Sequence, residues 1–369
     1  MLTRNYMPFA LSMLLAPIAA QAGTTPSYLV NVVGPASSTA SALNDLGQVV
    51  GTFQDPNSVS QYGFVSSGGS FINLGPLGGS SAANGINNAG AVVGHASGSP
   101  NNFGIAFVDS PGGTMHLFNP FGGRNSQATG INNSGQVVGW GDDFTTNRSF
   151  LLSSGTITDL GSLGGTWSEA NAINNGGAIA GVSSLKNNEN MLHGYLYANG
   201  GMTDLGTLGG NYSWAAGIND AFQVVGYSAY DPLSTDFHAF LYSKGVMTDL
   251  GALGGGQSEA WGINDFGQVV GRAYGSLPGD RRGFLFRDGV MTDLNTLIDP
   301  ASGWQILEAW DINNNGQIAA FGYKDGIGYA LRLDLAAPVP EPGNTAMLLG
   351  GLGVFGLTMR RKAGQARKG

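Results

Sequence analysis

Three glutamates and a tryptophan hold equivalent places in a repeated text: Glu169, Trp214, Glu259 and Glu308. Each stands four residues before an isoleucine that is followed by asparagine. On one wall, an indole could stack on a sugar ring while carboxylates accept its hydroxyls. Two carboxylates with unequal pKa values could instead cut a polysaccharide. The same acids could hold a cation, or form a solvated rim beside a packed Trp. The other copies have Thr39, Ala82 and Gln127 at this place, so the position varies where the text around it does not.

The remaining chemistry-bearing residues read as scaffold. His193 and His238 share a slot with Arg148 and Arg282, which is not the behaviour of a metal ligand. Asp311-Ile-Asn313-Asn-Asn315-Gly316 matches the opening of a calcium loop. The strong ligand expected at position twelve is Gly322, however, and the six residues are also a turn of the repeat. Calcium is the one cofactor this text suggests. Asp159, Asp204, Asp249 and Asp293 recur at strand ends, as capping acceptors do. The chain has no cysteine, which excludes disulfides, zinc–thiolate sites and cysteine nucleophiles. It also has no G-x-S-x-G, P-loop, H-E-x-x-H or Rossmann pattern.

Elements that could position these residues come from the repeat itself. GINDFGQVVG at Gly262–Gly271 returns as GINNSGQVVG at Gly130–Gly139 and GINDAFQVVG at Gly217–Gly226. Seven anchors follow: Leu43, Ile86, Ile131, Ile173, Ile218, Ile263 and Ile312, spaced 42–49 residues apart. An alanine precedes each by three residues and an asparagine follows each. The unit Ser213–Leu250 breaks into four short apolar runs separated by turn residues. Asn264-Asp265-Phe266-Gly267 has the chemistry of a hairpin turn with a G1 bulge; Asn219-Asp220-Ala221-Phe222 lacks the Gly, so a different turn is expected there.

Four strands per unit is blade geometry, and seven units predict an all-β, seven-bladed propeller. Ala three before each anchor fits a crowded strand near the axis. The last unit shows three strands, Trp310–Asn313, Gln317–Phe321 and Gly328–Leu333, and the unpaired strand Ser27–Gly34 can supply its fourth. An open β-solenoid is the other architecture of this period, but polar capping units are not seen. Composition agrees with many short strands and tight turns: 62 glycines, 42% hydrophobic and only 11% charged residues. Residues 23–338 carry a net charge of −13, which argues against a nucleic-acid partner.

Both ends look like addresses. Arg4, an apolar stretch Met7–Ala19 and a small-x-small site at Ala20 and Ala22 before Gly23 form the anatomy of a signal peptide over residues 1–22. At the other end come Val339-Pro340-Glu341-Pro342, an apolar run Thr345–Met359 and a cluster with Arg360, Arg361 and Lys362. An apolar helix is expected at each end, the second a short membrane segment with its cations kept inside. Residues 339–369 resemble the PEP-CTERM sorting domain of Gram-negative bacteria that make exopolysaccharide. The resemblance implies recognition by an exosortase, passage through the secretion machinery and the inner membrane, and delivery to the cell surface or matrix.

The repeats in 23–338 resemble the HAF repeat family of extracellular bacterial proteins. His238-Ala239-Phe240 is the name-giving motif, followed by Met247-Thr248-Asp249-Leu250-Gly251. That resemblance implies an exported propeller-like protein and supplies no catalytic residues. The sequence therefore points to a non-catalytic surface or matrix propeller that binds polysaccharide or protein. A polysaccharide lyase or hydrolase using funnel acids is the alternative.

Overall fold

A computed structural model describes residues 28–336, apart from 76–78, 99–102, 187, 234–235 and 276–278. The apolar helices expected at the two termini and the cleavage and sorting motifs lie outside the described residues. Among the described residues no helix is long and apolar enough to cross a membrane.

Seven four-stranded antiparallel sheets make seven blades. In six of them the strands follow chain order, with the first strand nearest the axis. The first strands are Ser38–Leu43, Ser81–Ile86, Ser126–Ile131, Gly164–Ile173, Ser213–Ile218 and Ser258–Ile263. The seventh blade is composite: Gln305–Ile312, Ile318–Lys324 and Ile327–Leu335 are joined by Tyr28–Ala36 as outermost strand. That strand is antiparallel to its neighbour, with Tyr28 opposite Leu335 and Val30 opposite Leu333. The N-terminal strand thus supplies the missing strand, closes the ring and leaves no open end.

Each blade interface is built on one row of side chains crossing three strands. In six blades the alanine three before the anchor pairs with a glycine, and the glycine pairs with an aromatic: Ala83–Gly94–Phe107 and Ala260–Gly271–Phe284 are examples. In the seventh the row is Ala309–Ala320–Leu331. These alanines and aromatics are buried. A Cβ on Gly94 would meet both the Ala82 carbonyl oxygen and the Phe107 ring. The glycine is therefore the space the ring occupies, and the alanine is the largest residue the approaching blade permits. The Val–Val pairs that follow, such as Val137 and Val138, are buried on both faces of the sheet. That is why the motif reads as a continuous apolar pair and not as an alternation.

A serine five before the anchor ties six of the junctions. Ser126 Oγ accepts the Ala106 N–H of the preceding blade at 2.9 Å, and Ser258 Oγ accepts the Ala239 N–H at 2.8 Å. Ser38 does the same for the Ala330 N–H at 2.9 Å, across the seam between the last blade and the first. At the sixth-to-seventh junction Asn295 replaces the serine, taking the Ile306 N–H and donating to its carbonyl.

The first hairpin of each blade is the expected turn with a left-handed fourth residue. In the third blade the Gly135 N–H bonds to the Asn132 carbonyl at 3.0 Å and Gly135 has φ 76°. The copy without glycine does not differ. The Phe222 N–H bonds to the Asn219 carbonyl at 3.1 Å, and Phe222 itself takes φ 59°. The ring fixes the turn so firmly that the side chain accepts a left-handed backbone.

Candidate functional site

The axis of the ring is a channel lined by the seven first strands. At its narrow end are the hairpin turns. Each asparagine after an anchor donates from Nδ2 to the backbone carbonyl of its counterpart in the next blade: Asn44 to Asn87, Asn87 to Asn132, Asn132 to Asn174, Asn174 to Asn219, Asn219 to Asn264 and Asn264 to Asn313. Asn313 donates to the Asn44 carbonyl at 2.9 Å and completes the circle. A second circle runs through the next residue, whose backbone N–H meets the side-chain oxygen of its neighbour, as from Asp45 to Asn88 and from Asn314 to Asp45. The asparagines of the first circle are at most 5% exposed, and in each of them both the amide nitrogen and the amide oxygen are bonded, as at Asn174 to the Asn219 carbonyl and the Ala178 N–H.

The waist is made of small residues one before the anchor (Ala42, Gly85, Gly130, Ala172, Gly217 and Gly262), with a single exception, Asp311. Its carboxylate accepts the Leu43 N–H at 3.1 Å and the Ile312 N–H at 2.9 Å, joining the last blade to the first. Burial, helped by the charge of Asp45, pushes its pKa up to about 6 against those two bonds. The atoms of the calcium-like text are thus engaged with protein: Asn313 belongs to the circle, and Asn315 donates to the Asp45 carbonyl. No group of three or more His, Cys, Asp or Glu among the described residues is placed to hold a metal ion.

Above the waist every first strand carries a β-bulge. In the third blade the register slips between Ala128 and Gly130, and the extra residue is Thr129. The same slip singles out Ser41, Asn84, Asn171, Ala216, Trp261 and Trp310. A bulge re-aims the side chain it frees, and here all seven freed residues line a cavity of about 440 Å³ at the end of the channel away from the turns. Thr39, Ala40, Gln127 and Trp214 complete the lining, which contains no charged residue among those described.

One side of this cavity is aromatic. Trp261 and Trp310 lie 5.2 Å apart, Tyr227 backs Trp261 at 5.7 Å, and Trp214 is stacked on Tyr227 at 6.3 Å and 8°. The guanidinium of Arg272 sits 5.7 Å from the Trp261 ring. The indole N–H groups of Trp261 and Trp310 meet no acceptor among the described residues. The opposite side is amide and hydroxyl. There Asn84, Thr129 and Asn171 each donate to the alanine carbonyl of the next blade, which fixes them and leaves the Asn side-chain oxygens turned to other uses.

Of the four residues singled out from sequence, the structure brings Trp214 to the cavity. The three glutamates are held elsewhere. Glu169 accepts a hydrogen bond from Asn147 of the preceding blade at 2.8 Å, and burial raises its pKa. Glu259 pairs with Arg272 at 2.7 Å, and Glu308 with Arg272 at 3.0 Å and Arg281 at 2.7 Å. Both carboxylates are buried, at 4% and 6% exposure. Desolvation raises the Glu259 pKa, and the bond and charge of Arg272 pull it back. Among the ring of positions four before the anchor, then, Glu169 and Glu308 bond across joints between blades, and Glu259 holds the arginine that reaches Glu308. The bulge residues are the ones sequence reasoning missed. Their signal was a break in alternation: small residues stand both three and one before the anchor, around a polar or aromatic residue.

The slot shared by histidine and arginine pairs with the recurrent strand-end aspartate. His193 meets Asp204 at 2.9 Å, His238 meets Asp249 at 2.8 Å, and Arg148 meets Asp159. Each of these aspartates also accepts the N–H two residues on, at Gly206, Gly251 and Gly161. The pairs buttress the outer two strands.

Fold and ends define a seven-bladed β-propeller that carries a sorting signal. Residues 338–362 match the family model described as the PEP-CTERM protein-sorting motif. This motif marks an exported surface protein that an exosortase recognises during sorting. No curated protein matches the chain. Among solved structures it resembles a Mycobacterium tuberculosis puromycin-hydrolyzing peptidase, with 11% identity and a TM-score of 0.55 over 83% of this chain and 54% of that one. The chain thus spans about half the length of that peptidase. A putative TolB from Agrobacterium tumefaciens is similar at 16% identity and a TM-score of 0.42, over 71% of this chain and 98% of that one. At such identities the likeness speaks for the fold alone.

Proposed function

We propose that this protein is a non-catalytic component of the cell surface or extracellular matrix, and that it binds a neutral polysaccharide at the aromatic end of its axial channel. On this reading residues 1–22 are a signal peptide cut between Ala22 and Gly23, residues 23–338 are HAF-type repeats, and residues 339–369 direct sorting through Val339-Pro340-Glu341-Pro342. The host is then an exopolysaccharide-producing Gram-negative bacterium, and its own polysaccharide is the natural ligand.

The observation that carries the reading is the two-sided cavity. Trp214, Trp261 and Trp310 offer faces for the apolar side of a sugar ring, and Asn84, Gln127 and Asn171 offer donors and acceptors for its hydroxyls. An uncharged lining suits an uncharged ligand, because a buried charge would find no partner there. The ion pairs that hold Glu259 and Glu308 favour a structural duty for these acids over an acid–base one.

The test is to incubate the full chain with the host exopolysaccharide, following both retention and new reducing ends. Retention without chain shortening is expected, with Trp214→Ala and Trp261→Ala each weakening it about tenfold or more. Shortening that Glu169→Gln, Glu259→Gln or Glu308→Gln abolishes would establish the enzyme instead. No retention by any neutral polysaccharide would overturn the reading.

A further inference from the structure

The axial cavity shares a lining residue with a second one. Gln127 lines it and also lines a second cavity of about 370 Å³ that runs outward over the second blade. Gln127 pairs across the sheet with Trp140, and Ala82 of the neighbouring blade pairs with His95. All four line this outer cavity, joined by Gln61 and Asn125. We infer that the two cavities are one continuous site for a linear, neutral polysaccharide, gripped along several successive sugar units from the axis out as far as the third strands of the blades. This rests on the carbohydrate reading proposed above and adds the mode: an internal stretch of chain, not a chain end or a single sugar.

Three features support a built groove. Trp140 is half-buried and supplies a second aromatic platform, distinct from the Trp214–Trp261–Trp310 wall. The side-chain amides of Gln61 and Gln127 have no partner among the described residues, so both retain donors and acceptors for hydroxyls. His95 Nδ1 is shut from solvent and lacks a partner among the described residues, and burial lowers the imidazole's pKa, so the ring stands neutral in the groove. Among the described residues, His95 is the single titratable one in the outer lining, and the inner lining has none. An acidic polysaccharide would find no cation along this path and a basic one no anion. A neutral chain meets alternating platforms and amides throughout, which is the pattern that repeating sugar units present.

The experiment measures affinity of the full chain for size-fractionated neutral oligosaccharides of two, four and eight units, prepared from a glucan, a mannan and a galactan. The expected result is that at least one series gains about tenfold or more in affinity between two and eight units. Trp140→Ala should erase most of that gain, and Trp140→Phe should restore much of it. Trp214→Ala should weaken every length. An affinity independent of length, or eight units bound equally by wild type and Trp140→Ala, would overturn the continuous groove and leave the axial site standing. No binding by any series would overturn both. If Trp140→Ala fails to fold, Gln61→Ala, at the outer end of the groove, gives the same reading by weakening only the longer chains.

Discussion

Replacing Asn132 by alanine isolates one link of the asparagine circle. Asn132 is 3% exposed and makes four side-chain bonds. Nδ2 donates to the Asn174 carbonyl at 3.0 Å and to Gln136 Oε1 at 2.8 Å; Oδ1 accepts the Ser134 N–H at 3.1 Å and the Gln136 N–H at 3.0 Å. Ser134 is exposed and its N–H regains water, so little is lost there. The Asn174 carbonyl loses its inter-blade donor in a buried setting, which costs about 1–3 kcal/mol, and the half-buried Gln136 N–H adds about 1 kcal/mol. The variant should therefore lose about 2–4 kcal/mol, against the ~0.5 kcal/mol of an ordinary surface change. Equilibrium urea unfolding followed by tryptophan fluorescence measures it. Asn132→Asp keeps both accepting bonds and loses both donating ones, so it should also be destabilised at neutral pH. A loss below about 1 kcal/mol in the alanine variant would show that the circle is a geometric by-product and not a source of cohesion.

Phe222→Gly should stabilise the protein by about 0.5–1 kcal/mol: relief of a left-handed Phe is worth roughly 1–2 kcal/mol, offset by glycine's greater chain entropy. A raised urea midpoint would show it. Asp311 holds a pKa of about 6 in the fold against 3.8 in the unfolded chain, so the native state binds the extra proton between those values. Its contribution is therefore present below about pH 4 and lost as pH rises through 6. Stability relative to Asp311→Asn should fall by about 2–3 kcal/mol across that window, in unfolding curves taken from pH 4 to 7. Arg272→Leu strands the buried Glu259 and weakens the hold on Glu308, at a cost of about 3–5 kcal/mol at neutral pH. The deficit should shrink towards pH 4 as Glu259, whose pKa burial raises, takes up a proton, read from the same curves.

Much of the fold was legible because it is written seven times. The hairpin phrase, the invariant alanine and the truncated last unit predict blades, a crowded axis and the closure that Tyr28–Ala36 provides. The turn at Phe222 escaped this reading because local turn chemistry was trusted over the ring, whose inter-blade bonds overrule it. The site escaped for a different reason. Simple alternation counts positions four before the anchor as channel-facing, and a bulge hands that role largely to the residues two before it. Trp214 reaches the cavity from the earlier position, while Trp261 and Trp310 reach it through the bulge. Ser126 and its counterparts were overlooked because serine beside glycine-rich connectors looks like loop filler; only the junction shows it bonding to the neighbouring blade.

The seven amides of the axial circle all point the same way, each blade giving to its successor, and the last gives to the first. Such a circuit has no head. A permuted chain that begins at another blade, with the present ends joined, would inherit the same seven links. The number of blades is not written into any single link either: a unit gained or lost by recombination leaves donors and acceptors equal in number. The circle therefore constrains direction while staying indifferent to starting point, which is the property a tandem array needs if its gene is to lengthen, shorten or rotate and still encode a closed disc.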